Sequence, residues 1–323
     1  MSAISVFEHS YYIGNYMSGI LYGVALVIYF MTMKALSTMR GNTTGKRRFF
    51  AIYSTLLILL LTVDISCNAV WGEQMWITFR DTPGGVPVFV ETQVSVWYQT
   101  LSSTSVVALI FLGDALLIHR LFLIWGSSYL VIVVPMLAYL TAFSLAIIVL
   151  VVVGKPGGNF FGGKAINFGT PYYAITISMN ILITLLICLR LRYQSKSVRR
   201  ALGKDDAKIY TSVSTMLIES AAPYTLVGIM FLIPYARGSQ IAISFGQVWA
   251  KLTCLSPQLI VLRVVTGKAW KSDIVKQETS LMAFDNDKTP ITSGIYSLSS
   301  CGTMLGSSSN DQWNGVKKVP TEL

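Results

Sequence analysis

Apolar residues in this chain gather into seven long stretches separated by short polar connections. A bilayer hydrocarbon core about 30 Å thick takes about 20 mainly apolar residues in helical form. Inside it, a helix satisfies its own backbone hydrogen bonds without water. The stretches 13–33, 49–71, 98–125, 129–153, 171–190, 210–235 and 240–263 therefore predict an all-α bundle of seven transmembrane helices. The fourth has no charged residue between Tyr129 and Gly154. The third is the least defined at its start, where Gln99, Ser102, Ser103, Thr104 and Ser105 make it polar. Connections this short leave no room for a separate soluble domain. Residues 1–276 thus form the membrane domain, and 277–323, rich in Ser, Gly and Asp without an apolar period, read as a disordered cytoplasmic tail. Between them, Trp270, Ile274 and Val275 alternate with Lys268, Lys271 and Lys276, a pattern suited to a short helix lying on the inner leaflet.

Composition sharpens the picture. Of the 323 residues 53% are hydrophobic and only 12% charged, about half the charged share of a soluble protein. The net charge of +10 would suit nucleic acid, but the cations cluster beside the apolar stretches, where they meet anionic lipid of the cytoplasmic leaflet instead. Connection 34–48 carries five Lys or Arg, connection 191–208 with Arg190 carries seven, and the start of the tail carries Arg263, Lys268, Lys271 and Lys276. The alternate set holds only Arg80, Lys155, Lys164 and Arg237. Sixteen against four places the N-terminus outside and the C-terminus in the cytoplasm, with the plasma membrane the expected location. The sequon Asn42-Thr43-Thr44 then faces the cytoplasm and stays unglycosylated. The first fifteen residues lack the cations and cleavage site of a signal peptide. Trp71, Trp76 and Trp97 fall at outer ends, Trp125 and Trp270 at inner ends, as an interfacial aromatic belt would.

Ionisable groups within a bilayer are costly and so draw attention as functional. Counting 1.5 Å per residue from the cytoplasmic ends puts Asp64 at roughly 22 Å, Asp114 at roughly 16 Å, Glu219 at roughly 14 Å and Lys251 at roughly 18 Å. These four are expected to form a polar centre near the midplane, either to bind a ligand or relay protons, or to lock the bundle. Three acids against one base leave at least one carboxyl neutral or hydrated. His119 and Arg120 lie near the inner end of the third helix, as a latch that engages Glu219 or a cytoplasmic partner. Pro223, Pro234 and Pro257 each remove a helical hydrogen bond and mark expected kinks. The four cysteines (Cys67, Cys188, Cys254, Cys301) show no metal spacing, and no HExxH or GxSxG run points to catalysis. No metal, cofactor or enzyme activity is expected.

Outside-N, inside-C threading resembles G protein-coupled receptors in plan. Of the rhodopsin-class signatures, Ile118-His119-Arg120-Leu121 supplies only the arginine and Ser256-Pro257-Gln258-Leu259-Ile260 only the proline. Across all seven helices the chain is more similar to the seven-span integral membrane proteins of mushroom-forming fungi. The similarity rests on Gly113-Asp114-Ala115-Leu116-Leu117 through Arg120 to Ile124-Trp125. It continues in Ser256-Pro257-Gln258-Leu259-Ile260-Val261-Leu262-Arg263-Val264 and Gly267-Lys268-Ala269-Trp270. That resemblance implies a fold and no activity. The expectation is a receptor-like protein or sensor whose basic segment 191–208 and serine-rich tail meet a cytoplasmic protein. The alternative is a small-solute or proton-coupled transporter, although only one of the Pro-Gln pairs of SWEET-type sugar transporters occurs, Pro257-Gln258 in the wrong helix, and no repeat is evident. Lys251 with Asp114 would also suit a retinal Schiff base, but the Arg-Tyr-x-x-Trp-x-x-Thr run of such pigments is absent.

Overall fold

A computed structural model describes residues 3–38, 44–93, 95–126, 128–155, 158, 160–201 and 204–286. Among them there are eight α-helices and no strand: α1 (Ala3–Thr38), α2 (Thr44–Glu73), α3 (Gly85–Gln93), α4 (Trp97–Ile124), α5 (Tyr129–Gly154), α6 (Gly163–Ala201), α7 (Lys204–Ala236) and α8 (Ala242–Asn286). All but α3 are long and apolar enough to cross a membrane, so the chain has the seven-span, all-α architecture its hydropathy predicts. Met1–Val275 is one compact unit, the bundle, and Lys276–Leu323 a second. In the second unit the chain is helical through Asn286, so the first residues of the predicted tail are helix rather than coil. The serine-rich run, Cys301 and the sequon at Asn42 lie outside the described residues.

Seven alternating crossings give the bundle two faces. The N-terminus shares one with the connections after α2, α5 and α7; this is called the N-terminal face below. The helices overrun the apolar stretches because hydrocarbon dictates only the apolar part, while backbone hydrogen bonding continues beyond it. Helix α1 starts at Ala3 rather than 13. Helices α6 and α7 together absorb nearly all of the basic segment 191–208, leaving only residues 202 and 203 between them. The predicted loop is therefore two helix ends.

Because apolar side chains gain little from leaving lipid for one another, close packing and interhelical hydrogen bonds carry much of the cohesion. Helices α1 and α2 are joined in this way. Tyr22 Oη lies 3.0 Å from Thr62 Oγ1 and Tyr29 Oη 3.2 Å from Thr55 Oγ1. Both threonines donate to the carbonyl four residues back, so each tyrosine is the donor across the interface. Tyr53 of α2 donates to the Leu112 carbonyl of α4 at 3.1 Å, and Tyr235 of α7 to the Ala165 carbonyl of α6 at 3.0 Å. The ring closes where Ser244 of α8 donates to the Ser10 carbonyl of α1 at 2.8 Å. Between these contacts, Leu57, Leu61, Leu109, Cys254 and Val261 form the centre of the core, each fully buried.

Helix α3 lies within the connection that the hydropathy pattern left without structure. Gly84 (φ 92°) and Gly85 (φ 54°) take left-handed conformations that turn the chain into it, with Gly85 N–H donating to the Thr82 carbonyl at 2.8 Å. Val86 and Phe89 of α3 then bury against Trp71, Met75 and Tyr11. Trp71 is 2% exposed and donates through Nε1 to the Gln93 carbonyl at 3.1 Å. It anchors α3 rather than belonging to an interfacial belt. Trp97, by contrast, is exposed, as a belt residue would be. Trp125 carries the Arg190 guanidinium over its ring at 5.3 Å. Pro223, Pro234 and Pro257 lie inside helices that run on through them.

Candidate functional site

Of the four charges expected at the midplane, two meet. Lys251 of α8 and Asp64 of α2, each 1% exposed, form a direct ion pair through Asp64 Oδ2. Desolvating two charges costs several kcal/mol per ion, so such a pair persists only where further hydrogen bonds satisfy it. Asp64 has them. Its Oδ1 accepts from Ser102 Oγ of α4 at 2.7 Å and from Asn68 Nδ2 at 2.9 Å. Asn68 lies one helical turn from Asp64, at the i, i+4 spacing that puts both on one face of α2. Asn68 Nδ2 also reaches Ser102 Oγ at 2.9 Å. Tyr11 of α1 completes the chain, donating to the Asn68 carbonyl at 2.9 Å and lying 3.2 Å from Asn68 Oδ1. Four helices thus meet in one hydrogen-bonded network around the Asp64 carboxylate. Lys251, with three N–H donors, has Asp64 as its acceptor among the described residues.

This network forms the floor of a cavity of about 400 Å³ that reaches the N-terminal face. Its walls are mainly apolar and aromatic, including Phe7, Trp71, Phe161, Tyr173, Phe231 and Trp249. Size and lining match those of small-molecule sites, where a few polar groups set orientation within an apolar enclosure. The aromatic wall is tightly built. Trp249 stacks on Phe231 with centroids 5.4 Å apart and rings 16° from parallel, and Tyr173 meets Trp249 edge-on at 5.7 Å. Gly228 makes this possible, since a Cβ there would sit 2.8 Å from Trp249 Nε1. Buried side-chain oxygens of Gln99, Gln240 and Gln247 line the same cavity without a hydrogen-bond partner among the described residues.

Asp114 and Glu219 do not join the centre. Asp114 is 3% exposed and borders a separate void of about 20 Å³, together with Asn180 of α6 and Thr253, Ser256 and Pro257 of α8. Ile110, one turn earlier on α4, lines both the cavity and this void. Glu219 is two-thirds exposed and pairs instead with Arg263 of α8 at 3.1 Å. Its misplacement follows from α7. Glu219 is exposed while Ser220 beside it is buried, so rotation about the α7 axis turns its carboxylate away from the core. The expected latch between Arg120 and Glu219 is accordingly replaced by Arg263. Arg120 is half-buried and His119 exposed.

Sequence reasoning missed Asn68, Tyr11, Asn180 and the part played by Ser102. The polar run that blurred the start of the third span was the available signal for Ser102, because it is the cavity wall. Among the described residues, no group of three or more His, Cys, Asp or Glu could hold a metal, and Cys67, Cys188 and Cys254 are free thiols. No family model, curated protein or solved structure matches this chain.

Proposed function

We propose that this integral membrane protein is a receptor-like sensor. It would take a small, mainly apolar molecule carrying a hydrogen-bond acceptor into the cavity above Asp64 and Lys251. The observation that carries this reading is the imbalance at the cavity floor. Asp64 already accepts from Lys251, Ser102 and Asn68, whereas among the described residues the Lys251 ammonium has two further N–H donors free for an acceptor. A carboxylate or carbonyl entering along the aromatic wall would find those donors, while a cationic ligand would find an acid already occupied. Orientation with the N-terminal face outside follows from the cation count, which also puts the basic ends of α6 and α7 in the cytoplasm, where an acidic partner could dock.

The test uses the full chain in lipid nanodiscs and a panel of apolar carboxylates, aldehydes and ketones, read by thermal unfolding. At least one acceptor-bearing compound should raise the midpoint, and Lys251→Met should weaken it by about tenfold or more, the loss of one charge-assisted hydrogen bond. A panel with no stabilising member, or a hit indifferent to Lys251→Met, overturns the reading. One observation favours transport as a second reading: Ile110 alone is common to the walls of the cavity and the Asp114 void, so a second polar station lies beside the first. Uptake of a panel compound into proteoliposomes, abolished by Asp114→Asn, would select that reading.

A further inference from the structure

We infer that the void beside Asp114 is a binding site for one small monovalent cation, of the size of Na⁺. Asp114 Oδ2 and Asn180 Oδ1 are both buried without a hydrogen-bond partner among the described residues, on side chains only 3% and 4% exposed. An orphaned carboxylate in a low-dielectric interior costs several kcal/mol, and a charge or proton must meet it. The surroundings favour a cation because they present oxygens with their hydrogens already committed. Thr253 Oγ1 donates to the Ala250 carbonyl at 2.6 Å, and Ser256 Oγ donates to the Ser220 carbonyl at 3.0 Å. Only their lone pairs remain.

Pro257 adds a further acceptor. Lacking an N–H, it cannot bond the Thr253 carbonyl four residues back, as another residue would. That carbonyl is turned toward Gly113 of α4, where an added Cβ would lie 3.6 Å from it. Among the described residues, Tyr224 is the one further residue with a polar side chain that borders the void. About 20 Å³ accommodates a single water-sized sphere. A divalent ion does not suit it. Mg²⁺ keeps several waters, Ca²⁺ takes six to eight oxygens, and one carboxylate would leave either with uncompensated charge. This inference stands whether or not the upper cavity takes a ligand.

The experiment is thermal unfolding of the purified full chain as NaCl replaces choline chloride at constant ionic strength. The wild type should show a saturable rise in midpoint with Na⁺, and less with K⁺. Asp114→Asn should abolish it, and Ser256→Ala, which retains the carboxylate, should raise the half-saturating Na⁺ concentration by about tenfold. If Asp114→Asn fails to fold, the Ser256→Ala comparison decides. Identical midpoints in Na⁺ and choline, or a Ser256→Ala or Asp114→Asn protein that responds as wild type, overturn the site and leave the void to water and a protonated acid.

Discussion

Asp64→Asn and Lys251→Met remove the two halves of one buried pair, yet they should not cost the same. Replacing Asp64 with asparagine leaves Lys251 buried at 1% exposure with no carboxylate to meet it. Breaking a buried pair so as to strand one charge costs about 3–5 kcal/mol. Replacing Lys251 with methionine strands Asp64 instead, but Ser102 and Asn68 still donate to Oδ1 at 2.7 and 2.9 Å. Hydrogen bonds to a charged group are worth about 1.5–3 kcal/mol each, and these two persist, so the cost should fall well below that of stranding the lysine. The double variant removes both charges and should be more stable than Asp64→Asn alone. Cys188 and Cys254 are buried, so in a Cys67→Ser, Cys301→Ser background a thiol-reactive dye reports unfolding of the purified chain. Asp64→Asn should lower the midpoint by on the order of 10 °C and Lys251→Met by a few degrees. An equal or inverted ranking would show that Ser102 and Asn68 do not stabilise the carboxylate. A double variant no better than Asp64→Asn would show that the stranded ammonium is not what destabilises.

Gly228→Ala should cost about 1–3 kcal/mol by overpacking, since the new Cβ would lie 2.8 Å from Trp249 Nε1 and 3.1 Å from Ile177 Cδ1; an unchanged midpoint in the dye assay would contradict this. Glu219→Gln should change stability by no more than about 1 kcal/mol, because its partner Arg263 is one-third exposed and Glu219 two-thirds; a larger drop would mean the pair is shielded. A glycosylation sequon engineered into the turn 79–84 should acquire a glycan while Asn42 does not, read as a glycosidase-sensitive mobility shift; the opposite pattern would invert the threading.

The spans were legible because hydrocarbon imposes length and composition on a helix, and both are readable one residue at a time. The site was not, because depth is only one of the two coordinates that decide whether side chains meet. The other is rotation about the helix axis, at about 100° per residue. Glu219 is exposed and Ser220 beside it is buried, so one step separates the rim from the core. Asp64 and Asp114 had comparable claims on Lys251 by depth. What separates them is that α8 turns Lys251 toward α2, and apolar pattern alone does not reveal that, because α8 is buried on nearly all sides through its membrane part. The extensions of α1, α6 and α7 escaped notice for the converse reason: beyond the bilayer, helix continuation depends on backbone hydrogen bonds that polar sequences also make. The small helix α3 is amphipathic over only nine residues, too short for its period to stand out.

Helix α4 ties the two polar features together through a single face. Ser102, Val106, Ile110 and Asp114 recur every fourth residue, the spacing that stacks side chains along one stripe. Ser102 bonds the Asp64 carboxylate, Val106 and Ile110 line the cavity, and Ile110 and Asp114 line the void. The run from Ser102 to Asp114 covers about 18 Å, more than half the hydrocarbon thickness. On its far side, α8 presents the matching series: Lys251 at the cavity floor, then Thr253, Ser256 and Pro257 around the void. Two helices therefore share both sites. A ligand that drew Lys251 away from Asp64 would alter the restraint on α4 through Ser102, and the same α4–α8 interface closes the void below. Binding at either place must then be expressed at the other to the extent that the interface shifts as a unit, and with equal free energy in both directions.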